Sequence, residues 1–240
     1  MADVAVLIVM ADPRWAIAGS GRPFHKADNR EIFLRTIELY ANRERVEQRI
    51  LCVLPDDLSR VSSRYGANLG FQGVTVSAGG PDWFGTVGHA LGKLDPQIKW
   101  VVIHDASCPA TPQTLLDELE EAVTHTGAAC PVTVVQSLMA KSNKSGQALS
   151  PAVVRGYHIQ SPCIFSRELI CRAYESRGAS AVDDCELVEA AGGKLHPIEG
   201  APLNMRIDSD AMARLAGDLL RHLPKPKPRG PISPFDEAQW

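Results

Sequence analysis

Val4 to Met10 reads VAVLIVM, an unbroken apolar run rich in β-branched residues. A strand with one face in water alternates apolar and polar residues. This run does not alternate, so it predicts a strand covered on both faces, as in a parallel sheet flanked by helices. Similar runs follow at Arg49–Leu54 (RILCVL), Val74–Val76, Lys99–His104 (KWVVIH) and Ala128–Gln136. Between them lie segments of helical period. Residues 30–42 place Ile32, Leu34, Thr36, Ile37 and Tyr40 near a 3.6-residue repeat, and Trp83–Leu94 follows a Gly79-Gly80-Pro81 break. Thr111-Pro112 predicts an N-cap and first helical position for a helix over 112–124. Pro55-Asp56-Asp57 predicts a turn. Strand and helix alternate through the first half, which predicts an α/β fold with a mostly parallel sheet.

The second half is less regular. Residues 137–150 (SLMAKSNKSGQALS) are polar without a period and predict a protruding loop or a two-stranded arm. Residues 157–165 read as extended, 166–174 and 183–192 as helices, 194–198 and 205–207 as strands, and 209–222 as an amphipathic helix. Residues 1–222 are expected to form one domain. In the tail, Pro224, Pro226, Pro228, Pro231 and Pro234 alternate with Lys225, Lys227 and Arg229, which forbids a helix and predicts a disordered or polyproline-like end over 223–240. Phe235 and Trp240 are candidate docking anchors there.

Composition excludes several classes. With 45% hydrophobic and 22% charged residues among 240, wholesale disorder is not expected. A net charge of −3 argues against a generic nucleic-acid binder, whose footprint is basic. No apolar run reaches the ~18 residues of a membrane span, so no membrane association is expected. The start, Met1-Ala2-Asp3-Val4, predicts no secretory signal. The six cysteines form no CxxC pair and no zinc spacing, and read as buried thiols of a cytoplasmic protein. The scattered histidines assign no zinc site, no GxSxG elbow occurs, and Gly19-x-Gly21 lacks the third glycine of a dinucleotide fingerprint.

In open α/β sheets, ligands bind beyond the carboxyl ends of the strands. The informative positions are therefore Ala11-Asp12-Pro13-Arg14-Trp15, Ala78-Gly79-Gly80 and His104-Asp105-Ala106-Ser107-Cys108-Pro109. Asp105 ends a buried strand, where a magnesium–phosphate site places its carboxylate and where a turn-forming Asp also fits. His104 reads as a packed strand-end residue.

These residues carry a family resemblance. His104-Asp105-Ala106-x-x-Pro109 resembles the H-D-A-x-R-P signature of the 2-C-methyl-D-erythritol 4-phosphate cytidylyltransferases. Ser161-Pro162-Cys163-Ile164-Phe165 is similar to T-P-Q-x-F, Asp183-Asp184 with Glu189 and Gly192 to T-D-[DE]…E…G, and Asn204-Met205-Arg206-Ile207 to N-[IL]-K-[VI]. Gly79-Gly80 with Thr86-Val87 is similar to G-G-x-x-R-x-x-S-V. The motifs occur in order over residues 3–222.

The resemblance implies a Rossmann-like open sheet with helices on both faces, of the nucleotide-diphospho-sugar transferase type, plus a small β-arm. It implies magnesium-assisted attack by the phosphate of methylerythritol phosphate on the α-phosphorus of CTP. It implies a homodimer joined by an arm at 137–153, across which Lys141, Lys144 and Arg155 could deliver charge. Carried over, Asp105, Arg206 and Lys26 are catalytic candidates, and Asp105 is also the metal ligand. Ala11, Arg14, Gly79, Gly80 and Thr86 would face the nucleotide. Asp105, Ser137, Arg155 and Asp183 would face the small phosphorylated polyol.

The departures concern phosphate. The family's first loop, A-A-G-x-G-x-R-M…P-K, has Pro13 and Trp15 for its glycines, Ala16-Ile17 at its arginine and Phe24 at its lysine. Cys108 and Trp83 stand for two further arginines, and Arg206 for the late lysine. Each lost preorganised donor costs roughly 2.7–4 kcal/mol by analogy with oxyanion holes. Arg14, Arg22 or Lys26, with a Gly19-Ser20-Gly21 anion nest, are candidate substitutes. The alternatives are a catalytically silent relative, its first loop packed by Trp15, Ile17 and Phe24, or a transferase for another nucleotide or acceptor.

Overall fold

The structure is a computed structural model describing residues 3–14, 16, 19–21, 23–142, 148–176 and 181–223, with the side chains of 139–152 excluded. The strand β1 (Val4–Val9) is wholly buried, as its unbroken apolar run requires. Its alternate side chains serve two cores. Ala5, Leu7 and Val9 join one cluster with Phe84, Val87 and Phe165, while Val4, Val6 and Ile8 join the other with Phe33, Tyr40 and Leu69.

Around β1, the strands β4 (Val46–Val53), β5 (Val74–Ala78) and β6 (Trp100–Asp105) pair in parallel. Beyond β6 come β9 (Cys163–Ser166), β7 (Ala128–Ser142) and β10 (His196–Glu199), giving the order β10-β7-β9-β6-β1-β4-β5. The β6–β9 and β9–β7 pairs are antiparallel and β10–β7 parallel. The chain moves outward from β1 to β4 and β5, then returns to β6 on the other side of β1. That makes the β1/β6 carboxyl end a topological switch point.

The helices are α1 (Ile32–Glu38), α2 (Pro55–Phe71), α3 (Trp83–Leu91), α4 (Gln113–Thr126), α5 (Arg167–Glu175), α6 (Asp184–Ala190) and α7 (Asp210–Arg221). Four expectations need correction. Pro55-Asp56-Asp57 opens α2 rather than a turn: Pro55 occupies the first turn, where its missing N–H costs nothing, and the two carboxylates face the positive helix end. Arg30-Glu31 forms the strand β3 (Arg30–Glu31), paired with β2 (Lys26–Ala27) in a small hairpin before α1 begins. Thr111 does not cap α4; its hydroxyl donates to Asn204 Oδ1 at 2.9 Å, and Pro112 holds the cap position without a side-chain bond. Residues 205–207 are not a strand. Ile207 is buried and its N–H donates to the Ser107 carbonyl at 2.8 Å, which ties this segment to the loop after β6.

Residues 137–150 take the two-stranded form: β7 continues past the sheet edge and pairs with β8 (Ala148–Ile159). Directly opposed residues in an antiparallel ladder share a face. One arm face therefore carries the pairs Val134–Tyr157, Gln136–Arg155 and Leu138–Val153. The tail from 224 lies outside the described residues. Among the described residues, no helix is long and apolar enough to cross a membrane.

Candidate active site

The Asp105 carboxylate terminates β6 and is buried. Its Oδ1 accepts from the Ser107 N–H at 2.8 Å and its Oδ2 from Arg206 Nε at 2.7 Å. The Asp105 N–H donates to Ser161 Oγ at 2.8 Å, so the Ser-Pro segment seats the strand end. Burial pushes the Asp105 carboxyl above the usual carboxylate range, against the opposing pull of Arg206 and the Ser107 amide.

Arg206 is the hub. Its Nη1 donates to Ser20 Oγ at 2.8 Å and its Nη2 to Asp12 Oδ1. Asp12 in turn accepts the Gly21 N–H at 3.0 Å and the Gly19 N–H at 2.5 Å. One guanidinium therefore lies between two carboxylates, at the ends of adjacent strands. Burial by itself would weaken the charged form, but both carboxylates outweigh it and hold the guanidinium protonated.

His104 sits one residue before Asp105 and is fully buried. Nε2 lies 3.0 Å from the Cys108 carbonyl, so it carries the proton, and Nδ1 accepts from Tyr40 Oη at 2.7 Å. Burial pushes its pKa down to about 3, so the ring is a neutral strut. The packed reading of His104 matches this geometry.

A pocket of about 80 Å³ gathers Asp105, Arg206, Asp183, Asp184, Trp83 and Pro13. That is below the ~300–1,000 Å³ of small-molecule sites. It adjoins a cleft of about 860 Å³ running from Ser20 to the root of the arm, and Arg206 and Asn204 line both. In the pocket wall, Asp184 accepts from Trp83 Nε1 at 2.9 Å and from Tyr174 Oη at 2.5 Å. Burial raises its pKa to about 6, against both donors. Asp183 caps α6, accepting from the Glu186 N–H at 2.8 Å.

The remaining expected site residues stand elsewhere. Arg14 donates to the Ala181 carbonyl at 3.1 Å, approaches Asp82 at 3.7 Å and lies over the Phe84 ring at 4.8 Å. Lys26 is half exposed on the hairpin, 3.8 Å from Glu31. Ala11 is buried in the core. Gly79 and Gly80 let α3 pack closely: a Cβ on either would lie within 2.8 Å of the backbone at Thr86 or Gly85. Thr86 is fully buried and donates to the Gly80 carbonyl at 3.1 Å. Ser137 pairs with Val154 and Arg155 with Gln136, so the two occupy opposite faces of the arm. Phe24 packs edge-on to Phe33 at 5.8 Å, under Arg60. Trp15, Ile17 and Arg22 lie outside the described residues, as do the side chains of Lys141 and Lys144.

Comparison with known proteins places this geometry. The sequence profile for 2-C-methyl-D-erythritol 4-phosphate cytidylyltransferase matches residues 4–221. The chain belongs to the 2-C-methyl-D-erythritol 4-phosphate cytidylyltransferase family. The enzyme of that name from Frankia casuarinae is 29% identical over 217 residues, covering 89% of this chain and 80% of that one. The one from Acidobacterium capsulatum is 29% identical over 218 residues, covering 85% and 91%. The solved cytidylyltransferase of Thermus thermophilus superposes with a TM-score of 0.73 at 23% identity, covering 91% of this chain and 99% of that one, a likeness of fold.

Against the cytidylyltransferase loop pattern, the residue that sequence reasoning missed is Asp12. It stands at the second alanine of the A-A-G-x-G pattern, a carboxylate in place of a methyl group. That contrast was the available signal. Asn204 belongs to the late motif, which by itself gives it no role. Its Nδ2 donates to the Ser161 carbonyl at 2.7 Å and its Oδ1 accepts from Thr111, which clamps the late segment under Asp105.

Proposed function

We propose that this chain is a nucleotidyltransferase of the cytidylyltransferase type, joining CTP and a small phosphorylated polyol such as methylerythritol phosphate with release of pyrophosphate. The Asp105–Arg206 pair at the switch point carries the reading. Arg206 supplies the fixed positive charge that developing phosphoryl charge requires, and Asp105 supplies a hard oxygen donor beside it. Reaction of this kind needs alignment and charge neutralisation, with no covalent intermediate on the protein.

Magnesium fits the donor set in one mode. Among the described residues no three His, Cys, Asp or Glu side chains converge on a point. Magnesium held by one or two carboxylates and completed by substrate phosphates suits Asp105. When bound, it would neutralise phosphate charge. Asp105 would hold it, while Arg206 orients the phosphates and Asp183 and Arg155 approach the acceptor.

The arm supports a homodimer. Val134 (78% exposed), Leu138 (70%), Val153 (60%) and Tyr157 (73%) share one arm face, on either side of the Gln136–Arg155 pair, and stand exposed among the described residues. A second copy is the occupant the family implies. All six cysteines are unpaired, which supports a reducing, cytoplasmic location.

A second reading, a catalytically silent relative acting as a binding or scaffold protein, is favoured by one observation: the cation nearest Asp105 is already paired with two carboxylates. Calorimetric titration with CTP and magnesium, with ATP, GTP and UTP as controls, separates the readings. Heat selective for CTP supports the enzyme. Selective heat for another nucleotide moves the assignment to a related transferase. No heat for any nucleotide at millimolar concentration supports the silent relative.

A further inference from the structure

The donors around Asp12 are those of an anion site. Two glycine amides point at one carboxylate, from Gly19 to Oδ2 and from Gly21 to Oδ1. The Arg206 guanidinium closes the third side, steadied by Ser20 Oγ. Backbone amides of a glycine loop together with a guanidinium are the donor set that nests use for phosphoryl oxygens.

The loop is shaped for this approach. Gly19 has φ +72°, the left-handed conformation that glycine adopts without strain. At Gly21 a Cβ would lie 2.8 Å from both Arg206 Nη2 and Asp12 Oδ1, and 3.0 Å from Ser107 Oγ. Glycine lets the backbone come this near with those side-chain ends left in place. Arg206 is itself only 10% exposed, so it is a built part of the site.

We propose that the Asp12 carboxylate is a built-in occupant of a phosphate-class anion site formed by Gly19, Ser20, Gly21 and Arg206, and that a phosphorylated ligand binds there by displacing it. The inference rests on reading the strand-end cleft as a phosphate site. A tethered carboxylate competes at high effective concentration, so it raises the apparent dissociation constant of any external anion. It also leaves the Asp12–Arg206–Asp105 triad with one positive and two negative charges, which disfavours a polyanion. Asp12 thereby sets how tightly this chain holds phosphate.

The test is calorimetric titration of the full chain with inorganic pyrophosphate, with and without magnesium. Asp12→Ala is expected to bind at least tenfold more tightly than the wild type, because the site is vacated while its donors stay. The double variant Asp12→Ala/Arg206→Gln is expected to lose that gain. Circular dichroism and a cooperative melt establish that each variant is folded. Where Asp12→Ala does not fold, Asp12→Asn carries the comparison, since it removes the competing charge and its single carbonyl oxygen can serve only one of the two amides that the carboxylate holds through separate oxygens. Unchanged affinity in a folded variant overturns the proposal. Weaker binding, with magnesium or without, also overturns it and assigns Asp12 to holding the ligand. Tighter pyrophosphate binding without any CTP turnover sustains this inference and defeats the proposed enzyme, so the two fail separately.

Discussion

The Trp83→Phe substitution tests the electrostatics of the pocket wall. It removes the Nε1–H that donates to Asp184 Oδ2 at 2.9 Å and leaves Tyr174 as the other side-chain donor. A hydrogen bond to an ionised carboxylate is worth about 1.5–3 kcal/mol and one to a neutral acid about 0.5–1.5 kcal/mol. Asp184 has its folded pKa raised from 3.8 to about 6, chiefly by burial. In the unfolded chain it ionises near pH 4, so between about pH 4 and 6 the folded state binds the extra proton. Its contribution to stability is therefore full below pH 4 and lost as pH rises through 6, a fall of about 3 kcal/mol. At pH 5 the Trp83 bond meets a largely neutral acid, and at pH 8 a carboxylate. The cost of Trp83→Phe should be greater at pH 8 than at pH 5 by about 1 kcal/mol. The packing lost with the indole is the same at both values and cancels. Urea unfolding of both proteins at the two pH values measures the difference. An equal cost at pH 5 and pH 8 would refute the reasoning.

Other outcomes follow from the same geometry. Gly80→Ala places a Cβ 2.8 Å from the Gly85 backbone and should destabilise by about 1–3 kcal/mol in thermal or urea unfolding, since neither strand end nor helix can yield cheaply. Tyr40→Phe leaves His104 Nδ1 buried without its donor and should cost about 1–3 kcal/mol, with the secondary structure by circular dichroism unchanged. Leu138→Asp puts a charge in the apolar arm face and should shift the protein to a monomer in light scattering while the melting temperature of the folded unit is retained.

The parts of the fold governed by strong local periodicity were legible in the sequence. β1 and β6 are continuous apolar runs, and burial on both faces leaves them no other choice. α2 was not legible because its buried stripe is thin: only Val61, Tyr65 and Leu69 are buried along 17 residues. Its proline and acidic first turn belong equally to turns and to helix starts, so length alone could separate them. Residues 205–207 read as a strand because Met205 and Ile207 flank a polar residue. Tertiary contacts override that pattern, since Arg206 is held between two carboxylates and Ile207 on the loop after β6.

For the site, position along the sheet singled out Asp105, and the late motif singled out Arg206. Their pairing across 101 residues is a tertiary fact. Arg14 and Lys26 were reasonable substitutes for missing phosphate cations by charge alone. In the structure Arg14 donates to the Ala181 carbonyl and lies 3.7 Å from Asp82, and Lys26 lies 3.8 Å from Glu31, neighbours that charge alone does not reveal. Asp12 lies in the sequence at one of the informative strand ends but carries no assigned role there. Its importance depends on amides from Gly19 and Gly21, which sequence spacing does not aim.

The most direct measurement is pyrophosphate release from CTP and methylerythritol phosphate with magnesium, by wild type and by Asp105→Asn. The account predicts release matched one for one by formation of the cytidine diphosphate ester of the acceptor in the wild type. It predicts a rate lower by roughly 10²–10³ in Asp105→Asn, the effect of removing one preorganised polar group from a charge-stabilising site. Undiminished release in the variant, or none from folded wild type with any nucleotide and this acceptor, would contradict it.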